Sequence, residues 1–136
     1  MAAALRLRYE VFCVEQAVPE REEVDGRDHE GVHLVAVGVD DEGAGQVLGT
    51  CRLVFVGRTV QFSRLAVRPA ARRRGIATAL LEAADVETRA GGAHRLVLHA
   101  QTYARSLYEQ AGYVPRGRVF REAGIEHVAM EKELDH

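Results

Sequence analysis

Three consecutive arginines, Arg72 to Arg74, run into Gly75 and then into IATALLEAADVET, a segment free of helix breakers. That order of residues at the start of a helix suits the binding of an anion. Guanidinium forks match phosphate oxygens, glycine lets the main chain approach them, and the free N–H groups and dipole of a helix N-terminus favour negative charge. Positive charge is otherwise mildly unfavourable at that end of a helix, so a solvated helix start explains the cluster poorly. Three arginines match more than one phosphate group, and Thr78 adds a hydroxyl donor. The common nucleotide patterns GxxxxGK[ST] and GxGxxG are both absent, so the anion site belongs to neither of those classes.

The remaining charge is divided unevenly. The chain has 136 residues and a formal net charge of −2, yet Glu10 to Glu30 holds eight acidic residues and two arginines. From Arg64 to Arg74 there are five arginines and no acid. Two functional surfaces, one for cations and one for anions, are compatible with that split. A nucleic-acid interface is not expected, because the basic cluster is compact and lacks interleaved aromatic residues. His33, His99 and His127 fall on different elements and read as structural rather than as a metal set. Cys13 and Cys51 have no CxxC partner and read as buried thiols, so no metal and no disulfide is expected.

Length and composition allow one ordered domain over 1–136, with 47% hydrophobic and 28% charged residues. No apolar run reaches the ~18 to 20 residues that span a bilayer, and the N-terminus lacks a signal-peptide pattern, so no membrane association is expected and the cytosol is the expected compartment. Leu5, Tyr9, Phe12, Cys13 and Gln16 recur at helical spacing, which predicts an amphipathic helix over Ala2 to Gln16, stopped by Pro19. A polar loop, PEREEVDGRDHEG, leads to strands at HLVAVGV, QVLGTCRLVFVG and TVQFSRLAV, an antiparallel meander. A helix follows from Gly75, with Ile76, Leu80, Ala83 and Val86 or Glu87 on one face, closed by Gly91 and Gly92. HRLVLHA is an interior strand parallel to its predecessor across that helix. TYARSLYEQAGY is a short helix, and GRVFREAGIEHVAMEKEL is a hairpin turned around Ala123 and Gly124.

Within that α-β-β-β-α-β-α-β-β order, RRRGIA (Arg72 to Ala77) resembles the [QR]xxGx[GA] acyl-CoA signature of the GNAT superfamily of N-acetyltransferases, and it sits between a strand and a helix as that family requires. ARSLYEQAGY (Ala104 to Tyr113) resembles the family's A-x-x-[LF]-Y-x-x-x-G-[FY] segment at the usual separation. LRYEVFCVEQAVPEREEVDGRD, HAQTYARSLYEQAGY and FREAGIEHVAM extend the resemblance to the ElaA-like branch over nearly the whole chain. That branch begins with a strand before its first helix. This chain starts almost at the helix, so its first strand is expected to be missing.

The resemblance implies an α/β fold of the α+β kind: a mixed, mostly antiparallel sheet with a central splayed pair of parallel strands and flanking helices. It implies acetyl-CoA as acyl donor, a small-molecule or peptide amine as acceptor, and a monomer or homodimer. Leu65, Ala66 and Val67 would supply main-chain contacts to the pantetheine arm, with Gln101 in place of a more usual Asn. Arg72, Arg73, Arg74, Gly75, Ile76, Ala77 and Thr78 would hold the pyrophosphate.

Tyr108 would lie beside the CoA sulfur and give a proton to the departing thiolate, a phenol of pKa ~10 serving a thiol of pKa ~8.5. The N–H of Val67 would polarise the thioester carbonyl. Glu15, Glu22, Glu23, Asp25 and Asp28 would border the acceptor pocket, with Glu15 the first candidate for general base and Arg52, Arg64 and His127 as further pocket residues. Two alternatives compete. RYEVF, EEVDGRD and CRL also resemble the acyl-homoserine-lactone synthases, which lack the glycine signature. A non-catalytic acyl-CoA-binding module would keep the cradle and lose turnover.

Overall fold

The structure is a computed structural model that describes residues 2–16, 18, 25–39 and 43–134. Helix α1 (Ala2–Arg8) continues as a wider π-helix over Tyr9–Glu15. Strands β1 (Val32–Val39), β2 (Gly45–Val56) and β3 (Thr59–Val67) form the meander; α2 (Ile76–Ala90) follows, then β4 (Arg95–Gln101). The short α3 (Arg105–Gln110) precedes β5 (Val114–Glu122) and β6 (Ile125–Glu133). One six-stranded sheet runs in the order β1-β2-β3-β4-β6-β5. Every neighbouring pair in it is antiparallel except β3 with β4. The expected element order and the parallel crossover pair are therefore both present. No helix among the described residues is long and apolar enough to cross a membrane.

The core lies where α2 and α3 cover the sheet. Leu53, Val60, Phe62, Leu80, Leu81 and Leu96 are almost fully buried there. β4 shows why this positions a site: Leu96, Leu98 and Ala100 point into that core, so Val97, His99 and Gln101 face the opposite side. The β5–β6 turn carries Ala123 at φ +52° and Gly124 at +76°, the pair of positive angles that a two-residue hairpin turn needs.

Two helix faces differ from expectation. Over α1 and the π-helix, Ala4, Leu7, Arg8 and Val11 are buried, whereas Tyr9 is about half exposed. Arg8 turns inward because Asp28 binds it at 2.7 Å, which a hydropathy pattern cannot register. In α2 the buried face is Leu80, Leu81, Ala84 and Thr88, and Val86 is exposed. The hydroxyl of Thr88 donates to the Ala84 carbonyl at 2.7 Å, so a polar residue takes a core position at little cost.

Candidate functional site

The β3–β4 ladder is short. It joins Thr59 to Arg95, Val60 to Leu96 and Gln61 to Val97, and then the strands part. A bulge sends β3 away: Thr50 pairs with Ala66 and Arg52 with Ser63, so Arg64 and Leu65 together face Cys51. Arg64 takes φ +58°, a strained value for a residue with a side chain. The N–H of Arg68 donates to the Leu48 carbonyl at 2.7 Å. Strand alternation then turns the N–H of Val67 away from β2 and toward the gap.

The gap opens into a cavity of about 980 Å³. Leu65, Val67, Gln101 and Tyr108 line it, and the π-helical Phe12 and Glu15 roof it. Ala66 is different. Its side chain is 1% exposed and packs against Leu7 and Val11, so any contact it makes with a ligand is through main chain.

A second cavity of about 220 Å³ adjoins this one at the start of α2, lined by Val67, Arg72, Arg73, Gly75, Ala77 and Thr78 among others. Gly75 is the N-cap at φ +78° and offers no side chain to cap the helix. The helical ladder begins with Ala79 N–H donating to the Gly75 carbonyl at 3.0 Å, so the amides of Ile76, Ala77 and Thr78 precede it. A Cβ built on Gly75 meets nothing within 4 Å, so the place beside the amides is open. These features fit an anionic group. Arg74 is exposed and lines neither cavity; Arg73 reaches the smaller one from a backbone angle of φ +63°.

Arg72 is already occupied. Its guanidinium binds both carboxylate oxygens of Glu15, at 2.6 and 2.7 Å, and its Nε donates to the Val67 carbonyl at 3.1 Å. That hydrogen bond holds the Glu15 carboxyl below its usual range, which makes it a weaker base than a free glutamate. The adjacent Gln16 exchanges amide hydrogen bonds with Gln101, one of them at 2.8 Å, and donates to the Tyr103 hydroxyl at 3.1 Å. The end of the N-terminal helix is thus tied across the gap to two residues expected to bind the donor. Sequence reasoning missed Gln16 in this role, because only the fold brings it to β4.

Tyr108 is 8% exposed, with its ring edge-on to Phe62 and Tyr113. Burial raises its pKa, with smaller contributions from Tyr103 and Cys51, so it is a neutral phenol at physiological pH. Cys51 is a buried thiol pushed up to about 12 by desolvation, and therefore chemically inert.

The two aspartates of the acidic segment, Asp25 and Asp28, do not form a free anionic surface. Arg52 binds Asp25 at 2.8 and 2.9 Å and Asp28 at 3.1 Å, while Arg8 reaches Asp28 and Arg64 reaches Asp25 at 3.3 Å. Arg52 holds Asp25 far below the carboxylate range; burial pushes Asp28 up, but Arg8 and Arg52 outweigh it and its pKa is lowered. Glu22 and Glu23 lie outside the described residues. Arg64 lines the large cavity and Arg52 does not. Arg8, Asp25, Asp28 and Arg52, from the RYEVF, EEVDGRD and CRL stretches, meet in this one network, which anchors α1 to β2.

His127 does line the cavity, as expected, and so does His99. They converge on Glu122, whereas His33 is elsewhere, hydrogen-bonded to the Asp28 carbonyl at 2.9 Å. His99 and Glu122 carry no local motif, so nothing short-range in the sequence marks them.

Residues 3–134 match the family model described as an acetyltransferase (GNAT) domain. The chain is 33% identical over 131 residues to the uncharacterized N-acetyltransferase YjcF of Bacillus subtilis, covering 96% of this chain and 90% of that protein. Among solved structures it is similar to an acyl-CoA N-acyltransferase from Pseudomonas aeruginosa, with 34% identity, TM-score 0.80, and coverage of 96% of this chain and 88% of that one. Escherichia coli ElaA superposes with TM-score 0.81 at 26% identity, over 97% of this chain and 89% of that one.

Proposed function

Since the chain belongs to the GNAT acetyltransferase family, ElaA-like branch, we propose that it transfers an acetyl group from acetyl-CoA to a primary amine of a small molecule or peptide, by direct attack on the thioester. The observation that carries this reading is the continuity of three features. The parted strands β3 and β4, the uncapped N-terminus of α2 and the phenol of Tyr108 all open onto adjoining cavities. The similarity to an acyl-CoA N-acyltransferase supports the choice of donor.

The pyrophosphate sits on the amides of Ile76, Ala77 and Thr78, with Arg72 and Arg73 beside it and Arg74 contributing long-range charge. The pantetheine arm lies in the gap, pairing with main chain of Leu65, Ala66 and Val67 and with the amide of Gln101. The Val67 N–H, turned toward the gap, polarises the thioester carbonyl. Tyr108 protonates the thiolate as it leaves; burial raises its pKa, which keeps the phenol protonated before the step and makes it a weaker acid than a free tyrosine. Glu15, the first candidate for base, is better placed as a counter-ion that donor phosphate displaces from Arg72.

A thermal-shift titration followed by an amine panel tests the proposal. Acetyl-CoA at 100 times its Kd adds about 2.7 kcal/mol of stability, which a melting curve resolves. Release of free CoA thiol should then depend on an amine. No thermal shift at millimolar acetyl-CoA overturns the reading.

A further inference from the structure

We propose that His99 is the general base that removes the proton from the acceptor nitrogen, with Glu122 as its positioning residue. This rests on the transferase reading above and names the group that reading left unassigned.

The place of His99 in the sheet carries the inference. The β3–β4 ladder ends at Gln61 and Val97, and two residues further on, Ser63 and His99 stand where the strands divide. Both line the large cavity. The same cavity runs from this apex of the gap to Val67 and Tyr108. His99 projects from the cavity face of β4, not the core face, and its side chain is 55% exposed, so a substrate can touch it.

The imidazole is oriented from two strands away. Glu122 on β5 approaches His99 Nδ1 at 3.2 Å and lies 3.8 Å from His127 Nε2 on β6. Phe120 meets the His99 ring edge-on at 5.0 Å and stacks on His127 at 6.0 Å. A carboxylate beside Nδ1 selects the tautomer that donates from Nδ1, which leaves the lone pair on Nε2. His127 is less suited. Its side chain is 9% exposed and its Nδ1 donates to the Ile125 carbonyl at 2.7 Å.

The other carboxylates that line this cavity are held by arginines. Glu15 is bound by Arg72, Asp25 by Arg52 and Arg64, and Glu131 by Arg95 and Arg116. Among the described cavity carboxylates, Glu122 alone has histidine partners. Its negative charge is available to an imidazolium that forms during the reaction.

The nitrogen lone pair of the neutral amine forms a bond to the thioester carbonyl carbon, and the C–S bond breaks with its electron pair on sulfur. The nitrogen, positively charged after attack, gives a proton to His99 Nε2; the thiolate takes one from Tyr108. Solvent then deprotonates His99 and reprotonates Tyr108, leaving amide and free CoA.

The test compares wild type, His99→Ala, Glu122→Gln and Tyr108→Phe with the best amine from the panel, measuring kcat, acetyl-CoA Kd and the effect of added imidazole. His99→Ala should lower kcat by about 100-fold or more and leave the acetyl-CoA Kd within about twofold. Millimolar imidazole should restore at least about a tenth of the lost rate, as expected when a diffusible base replaces a missing one. Glu122→Gln keeps both imidazoles and should lower kcat about tenfold with the same donor Kd. Undiminished kcat in His99→Ala, or a loss that imidazole does not relieve, overturns the assignment. If His99→Ala is active while Tyr108→Phe is not, this inference falls and the transferase reading stands. A wild-type protein that binds acetyl-CoA and acetylates no amine overturns both.

Discussion

Glu15 and Arg72, 57 residues apart in sequence, form a two-pronged ion pair at 2.6 and 2.7 Å across the mouth of the β3–β4 gap. The pair joins the end of the N-terminal helix to the turn that opens α2. It places a carboxylate where a donor phosphate would compete for the same guanidinium. Glu15→Gln should therefore tighten acetyl-CoA binding by about two- to fivefold, the worth of an exposed ion pair that no longer has to be broken. Calorimetric titration measures it. An unchanged Kd together with a collapse of kcat would return Glu15 to the role of base.

Gly75 holds φ +78° in a place where a side chain would project into open space beside the first amides of α2. Alanine there incurs about 1–2 kcal/mol of left-handed backbone strain. The variant should melt a few degrees lower and bind acetyl-CoA at least tenfold more weakly, because its methyl group stands where phosphate would lie. Equal donor affinity in wild type and Gly75→Ala would remove the turn from the donor site.

Tyr108→Phe keeps the ring packing against Phe62 and Tyr113 and deletes the hydroxyl. Turnover should fall roughly 10- to 1,000-fold with acetyl-CoA affinity nearly unchanged. Turnover equal to wild type would take Tyr108 out of the mechanism.

The pKa of Asp25 is depressed in the fold, first by its hydrogen bonds from Arg52, and that of Asp28 is depressed by Arg8 and Arg52 against the cost of burial. A depressed folded pKa means that the unfolded chain binds more protons, so the stabilisation is complete above the unfolded value of about 4 and is lost as pH falls below it. Denaturant midpoints should fall between about pH 4 and pH 2. Asp25→Asn should flatten that slope while lowering stability at pH 7, because Arg52 is then left half-paired in a largely buried setting. An identical acid slope in the variant would locate the acid-labile interactions elsewhere.

The sequence by itself determined the element order, the parallel crossover and the β5–β6 turn, and it marked the helix start at Gly75 as a place suited to an anion. Each of these is a local signal. Alternating β-branched residues mark strands, Ala123-Gly124 marks a tight turn, and three arginines before Gly75 mark a helix start suited to phosphate. The segment around Tyr108 marked it as a candidate through its resemblance to a family motif.

Charge pairing between distant segments could be decided only by tertiary structure. The acids of the N-terminal loop read as a surface for a cation, yet Asp25 and Asp28 neutralise Arg8, Arg52 and Arg64, and Glu15 is bound by Arg72. Arg8 is buried on α1 for that reason, which turned the helix face away from the one hydropathy indicates. His99 and Glu122 meet because β4, β6 and β5 lie side by side, placing 23 residues of separation within hydrogen-bonding reach. A carboxylate has the same formula in a loop, an ion pair or a catalytic pair; its neighbours decide which it becomes, and those neighbours are fixed by the sheet.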